Sequence, residues 1–349
     1  MRSSGNIRWF RDITLNDRVT VGGKGGSLGE LMRAGITVPA GFVVGTAAFE
    51  RFLSDLEKQG LIRSRVASLS LHDLNGIRLL SQEVRGRIRA AALPEDLCAE
   101  INAAHAELCG ENLHSPLAVR SSATTEDAED ASFAGLQDTY LWVTNPSDTL
   151  KSVLSCWASL YSVASLAYRL KSKVPEDGVS IAVVVQRMVE ARSAGVMFTR
   201  SPLTGDRSVI MIEATWGLGS AIVGGEVTPD RFVIAKITGE VSVREVSDKH
   251  IHHVPAEGGG IKKLATPERL RAAPSVSDQE LAALKEIARK VERHYGRPQD
   301  IEWAIDHSGQ IHLLQSRPET VWSQRDQTPV AKPVENPLLH VMNIFGGRR

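Results

Sequence analysis

The sequence predicts an α+β protein folded as two lobes, and three observations carry that expectation. Strand-like and helix-like segments alternate without a repeating βαβ unit, which argues against a single doubly wound sheet. The polar stretch 171–178 (KSKVPEDG) divides the chain near its middle, as a hinge would. The length of 349 residues suits two or three domains, or one two-lobed unit.

The elements follow in order. TVGGKGG (20–26) reads as a glycine-rich loop running into a helix, with Leu28, Leu31 and Met32 at helical spacing and Gly35 as its stop. GFVV (41–44) reads as a short buried strand, and Thr46 as the cap of a helix whose stripe includes Phe49, Phe52, Leu53 and Leu56. Residues 60–115 carry helical patterns and short turns. LAVRSSATTEDAEDASFAGLQDTYLWV (117–143) gives a strand, a small-residue polar loop and a second strand. Ser147 is expected to cap a helix through Tyr168. The second half brings the strands VSIAVVVQRMV, SAGVMFTR, VIMIEA and RFVIAKI, an irregular connection over 238–275, a helix from about Asp278 to His294, and two final strands. These boundaries give an N-terminal lobe over 1–177, a C-terminal lobe over 178–323, and a tail over 324–349 suited to a partner contact.

Composition narrows the function class. Hydrophobic residues at 42% and charged residues at 23% allow a buried core and argue against disorder. Lys and Arg number 41, as do Asp and Glu, and a net charge of zero argues against nucleic acid as partner. The longest aliphatic run, Ile181 to Val185, is far below the roughly 20 residues of a membrane span. The N-terminus lacks an apolar export region, and Cys98, Cys109 and Cys156 form no CxxC. A soluble cytoplasmic protein without a membrane partner is the expectation.

Four constellations carry chemistry. Gly22-Gly23-Lys24-Gly25-Gly26 before a helix can bring backbone N–H groups and an ammonium to a phosphate; a flexible turn is the plainer alternative. Arg120-Ser121-Ser122 enters the loop that ends at Gly135, where an Arg can grip phosphate bidentately or merely sit beside acidic neighbours. Asp300 and Glu302 on one strand, and Gln315 and Arg317 on the next, share faces because strand periodicity is two. With Ser308-Gly309 as a two-residue turn, Glu302 opposes Gln315 and Asp300 opposes Arg317, while Ile301, Trp303 and Ile305 cover the other side. A carboxylate and an amide oxygen at one level suit Mg²⁺ with nucleotide phosphates; a structural Asp–Arg pair is the alternative. Gln186-Arg-Met188-Val189-Glu190 ends an apolar strand, where the backbone of Met188 and Val189 can read an adenine edge; ordinary core is the alternative. Glu213 stands as a ribose or metal partner, with a structural carboxylate as the alternative. His250, His252 and His253 lack a ligand spacing and read as a solvated loop.

Together, VGGKGGSLGELMRAGITVPAGFVV, AVRSSATTEDAEDASFAGLQDTYLWV, SAGVMFTRSPLTGDRSVIMIEATWGLGSAIVGGEVTPDRFVI and DIEWAID…IHLLQSRPETVW resemble the ATP-binding domain of the phosphoenolpyruvate synthase and pyruvate phosphate dikinase family, from about residue 10 to 322. The resemblance implies an ATP-grasp-like pair of lobes with ATP and Mg²⁺ in the cleft. Lys24, Arg120 and Arg317 match the family's phosphate-contacting residues, and Glu302 and Gln315 its metal ligands. Asp300 with Glu302 matches its acidic pair, and Gln186 to Glu190 its adenine-side segment. The implied chemistry splits ATP into AMP and phosphate and phosphorylates a histidine on a swivelling domain, which then serves a small acceptor. None of the ten histidines stands in a Gly-Gly-x-Thr-Ser-His-like context. The expectation is therefore a nucleotide subunit that needs a histidine-carrying partner. Its organisation is closest to phenylphosphate synthase, with a phenol or alkylphenol as acceptor. A fragment of a longer enzyme, a non-catalytic ATP-binding regulator and an ADP-forming ligase are the competing readings.

Overall fold

The computed structural model describes residues 5–124, 138–176 and 178–322, together with the backbone of 127–128 and 131–132. The expected loop residue Gly135 and the expected tail over 324–349 lie outside the described residues.

The first half runs β1 (Ile7–Trp9), α1 (Arg18–Arg33), β2 (Gly41–Val44), α2 (Thr46–Glu57), α3 (Arg63–Ala67), α4 (Leu74–Ala90), α5 (Glu95–Cys109) and β3 (Leu117–Ala123). It continues with the short pair β4 (Asp127–Ala128) and β5 (Ala131–Ser132), then β6 (Thr139–Val143), α6 (Pro146–Ser159), α7 (Val163–Lys171) and β7 (Ile181–Arg187). Five of these strands form an antiparallel sheet in the order β1-β2-β7-β3-β6. Alternation along it sends Phe42, Val44, Val183 and Val185 into a core with the helices, where α4 contributes Ile77, Leu80, Val84 and Ile88 at helical spacing. Val43, Ala182 and Val184 face the opposite way, against Val21 and Leu28 of α1.

The second half runs β8 (Ala191–Phe198), β9 (Val209–Trp216), α8 (Ser220–Val223), β10 (Asp230–Ala235), β11 (Val241–Glu245), β12 (Ile251–Pro255), β13 (Ile261–Ala265), α9 (Glu268–Arg271), α10 (Asp278–Tyr295), β14 (Gln299–Asp306) and β15 (Ile311–Pro318). Its main sheet has the order β11-β10-β9-β8-β14-β15, and β12 and β13 form a separate hairpin. Helix α10 starts in a Ser277/Glu280 capping box and stops at Gly296, where φ is +67°. It buries Leu281, Leu284, Ala288 and Val291 against Ile301, Trp303 and Ile305, the face the sequence assigned to the core. Leu31 of α1 enters this second core, and Ser27 donates to the Ser316 carbonyl at 2.6 Å, so α1 belongs to both lobes.

Several boundaries differ from the sequence expectation. β7 lies beyond the hinge expected at 171–178, yet it pairs with β2 and β3, so the chain passes between the main sheets at 188–190. Local polarity marked a turn there, whereas strand partnership is a long-range property. Gly45, not Thr46, is the N-cap of α2. Asn145 caps α6 by accepting from the Asp148 N–H, with Pro146 as first helical residue, and the helix expected through Tyr168 breaks before a restart capped by Ser162. The connection expected to be irregular over 238–275 contains β11, β12 and β13. It is anchored by Lys249, whose fully buried ammonium lies 2.5 Å from the fully buried Asp230 carboxylate. Asp230 also accepts from Ser247 and Ser275. No helix among the described residues is long and apolar enough to cross a membrane.

Candidate active site

A cavity of about 970 Å³ lies between the two main sheets. Its first wall begins with α1, where the chain kinks at Gly22 (φ +71°, ψ 176°). A Cβ at that position would stand 2.1 Å from the Ser122 carbonyl oxygen, so only glycine permits the approach. Ser122 donates to the Val21 carbonyl at 3.0 Å and accepts from the Gly25 N–H at 3.3 Å. The glycine-rich stretch is therefore a tightly docked helical segment rather than an open loop, and one of its N–H groups is already paired. Lys24 lines the cavity from the turn after this kink.

Arg120 projects from β3 across the cleft. Its guanidinium donates to the Leu314 carbonyl at 2.9 Å, Glu302 Oε2 at 3.0 Å and Gln315 Oε1 at 2.5 Å. Glu302 pairs with Gln315, and Asp300 with Arg317, as the sequence predicts. The turn is longer than predicted. Asp306 accepts from the backbone of Ser308 and Gln310, and the register shifts by one residue after Glu302. The shift is absorbed at Leu314, whose carbonyl is the one Arg120 holds. Asp300 lies 3.4 Å from Arg317 Nε, and burial pushes its carboxyl up to about 6, an effect that Arg317 opposes.

Asp300, Glu302, Gln315 and Arg317 line the cavity with Lys24, Arg120, Gln186, Met188 and Val189. Glu190 and Glu213 lie outside that lining. Glu213 faces Arg231 across the strand pair, and burial raises its carboxyl from the usual range. The Met188 N–H donates to the Pro116 carbonyl at 2.9 Å, which takes it away from the adenine-reading role expected of it. The Gln186 amide donates to the Pro39 carbonyl.

The His250–His253 segment is not the expected solvated loop. His253 is buried on β12, 2.8 Å from Ser220 Oγ through Nδ1 and 3.4 Å from Glu226 through Nε2. No group of three or more His, Cys, Asp or Glu suited to a metal occurs among the described residues. Sequence reasoning also missed Thr139, Trp142, Ser220 and Gly258–Gly260 in the lining; Trp142 sits in a strand bulge and Gly258–Gly260 at a hairpin tip, neither of which a local pattern marks.

Glu302 and Gln315 fit a hard divalent cation. They present a carboxylate and an amide oxygen at one level, and a cationic guanidinium already bridges them. Two phosphate-matching guanidinium groups and one ammonium stand in the same lining.

Residues 18–337 match the family described as pyruvate phosphate dikinase, AMP/ATP-binding domain. A probable phosphoenolpyruvate synthase of Methanothermobacter thermautotrophicus is 40% identical over 333 residues, covering 94% of this chain and 48% of the relative. A rifampicin phosphotransferase of a Streptomyces species is 40% identical over 312 residues, covering 89% of this chain and 35% of the relative. The chain thus spans about half or less of the length of these relatives. Among solved structures, the D-alanine–D-alanine ligase of Helicobacter pylori is similar over 69% of this chain and 53% of its own, at 11% identity and a TM-score of 0.28.

Proposed function

The chain belongs to the pyruvate phosphate dikinase AMP/ATP-binding domain family, and from that premise we propose that it is the nucleotide-binding part of an AMP-forming phosphotransferase. ATP enters the cleft and gives its pyrophosphoryl group to a histidine, releasing AMP, and water then cleaves the γ-phosphate away as inorganic phosphate. The β-phosphoryl group is left on that histidine, part of a swivelling domain outside these residues, and a small acceptor then receives it.

One observation carries this reading: Lys24, Arg120 and Arg317 converge with Asp300, Glu302 and Gln315 on the wall of a single cleft. Phosphoryl transfer needs positioning and neutralisation of phosphate charge more than covalent help from the protein. Lys24 supplies a compact charge, whereas the two guanidinium groups match phosphate oxygens in pairs. Glu302 and Gln315 are the residues that would hold Mg²⁺, which neutralises phosphate oxygens when bound with the nucleotide. Arg120 now holds an oxygen of each of these two side chains, and would be free to turn to phosphate if they were taken up by a cation. Met188 and Val189, at the crossing between the sheets, flank the base.

The histidine carrier is proposed to come from a swivelling domain, on a partner subunit or elsewhere in a longer polypeptide, acting in the cytoplasm. A phenol or alkylphenol is the acceptor class that the likeness in organisation to phenylphosphate synthase implies. The matched relatives bear the names phosphoenolpyruvate synthase and rifampicin phosphotransferase. A phenol, pyruvate and rifampicin are therefore the three acceptors to compare. The 48% coverage of a synthase favours a second reading, in which these residues equal the nucleotide module of a single-chain synthase.

Chromatography of nucleotides after incubation with MgATP and a histidine-domain protein tests the proposal. AMP with inorganic phosphate is expected. Accumulating ADP overturns it in favour of ligase-type chemistry, and ATP binding without turnover favours a regulator.

A further inference from the structure

We infer that Trp142 closes the base end of the cleft and stacks on the nucleotide base, an inference that rests on the nucleotide-binding reading above.

The strand register places this residue. Leu117 of β3 pairs with Val143 of β6, but Val119 pairs with Tyr140, so Leu141 and Trp142 together oppose the single residue Ala118. This is a bulge, the device by which a strand re-aims a side chain beside a binding site. Tyr140 and Val143 pack on the helical core as well as lining the cavity, Ala118 lines it from the facing strand, and the bulge sets Leu141 and Trp142 opposite Ala118 in that lining. The cost is visible in the backbone: Trp142 has φ +59°, a left-handed conformation that bulky residues rarely adopt.

A contact from the other lobe fixes this geometry. The Gly260 N–H, at the tip of the β12–β13 hairpin, donates to the Trp142 carbonyl at 3.0 Å. A Cβ on Gly259 would come 3.3 Å from the same oxygen, so the tip approaches as bare backbone. The hairpin is held at its base, where Leu218 donates to the His253 carbonyl and Ser220 pairs with His253. Trp142 is thus clasped from across the cleft.

Register also says which part of a nucleotide it meets. Leu117 pairs with both Val143 and Arg187, so Trp142 and Met188 lie at one end of these strands. Arg120 pairs with Thr139 and Val184, toward the other end. The phosphate-matching charges and the indole are separated along the strands, with Leu218 and Val223 adding apolar lining. A planar base between aliphatic and aromatic surfaces is the ligand part this end suits.

Calorimetric titration of the full chain with MgATP, and with Mg-tripolyphosphate, which has no base, tests the inference. Trp142→Asn suits the left-handed backbone, because Asn tolerates that region, so the fold is kept while the ring is lost. Its ATP dissociation constant should rise roughly tenfold, with tripolyphosphate binding unchanged and Trp142→Phe close to wild type. An ATP constant within twofold of wild type in Trp142→Asn overturns the inference, as does a parallel loss of both ligands. If the wild-type chain binds neither ligand, the nucleotide reading falls and the inference falls with it.

Discussion

Replacing Arg120 with Met should loosen the molecule and disable the cleft at once. Arg120 is 8% exposed and makes three hydrogen bonds across the cleft, to the Leu314 carbonyl, Glu302 and Gln315. A hydrogen bond to a charged partner contributes about 1.5–3 kcal/mol, and breaking a buried ion pair costs about 3–5 kcal/mol. The Glu302 side chain is 35% exposed, so water recovers part of its loss, and the Gln315 amide can re-pair with solvent. A destabilisation of about 2–3 kcal/mol is expected, measured as a lower denaturant midpoint with little change in slope. ATP affinity and turnover should fall together, because the same guanidinium is assigned to phosphate. Unfolding free energy within about 0.5 kcal/mol of wild type, with ATP affinity intact, would refute the clasp and the phosphate assignment together.

Other consequences are independent of that residue. Gly22→Ala should cost about 3 kcal/mol or more, since φ is +71° and the new Cβ would meet the Ser122 carbonyl; an unchanged melting temperature would show the kink to be unnecessary. Lys249→Met leaves Asp230 buried without its countercharge and should cost about 3–5 kcal/mol, read by denaturant unfolding; a neutral result would mean the pair is replaceable by packing alone. Asp300 has a folded pKa of about 6, raised first by burial, so its protonated form favours folding. That contribution is complete below the unfolded value of 3.8 and is lost as pH rises through about 6. In metal-free, nucleotide-free buffer, Asp300→Asn should flatten the stability–pH curve over this window by an amount on the order of 3 kcal/mol, and an unaltered curve would contradict the assignment. Glu302→Ala and Gln315→Ala should each weaken Mg²⁺-dependent turnover while the fold survives, and full activity in both would remove the metal assignment.

The hairpin that carries Glu302 and Gln315 was readable because strand alternation is a local rule: fixing one pairing fixed the face of four side chains. The length of its turn was not, because a bulge at Leu314 compensates a longer loop without disturbing the pairs that matter. Helix α10 announced itself by apolar spacing, whereas β11 and β13 did not. β13 is mostly exposed and has no alternation, and β11 alternates over only two apolar residues, Val241 and Val243, too short a pattern to mark a strand. The partnership of β7 with β2 and β3, the reach of Arg120 to Glu302 and the burial of Lys249 on Asp230 join residues far apart in sequence, and no local pattern encodes such meetings. The glycine-rich stretch shows the intermediate case. Its glycines signalled a close backbone approach, and the partner proved to be Ser122 of the same protein.

The position of label in the products tests the central claim most directly. ATP labelled at the β- or the γ-phosphate is incubated with the chain, Mg²⁺ and a protein carrying the acceptor histidine domain. The account predicts that β-label stays on that domain while γ-label leaves as inorganic phosphate and AMP accumulates. Retention of γ-label on the domain, with ADP released, would contradict it.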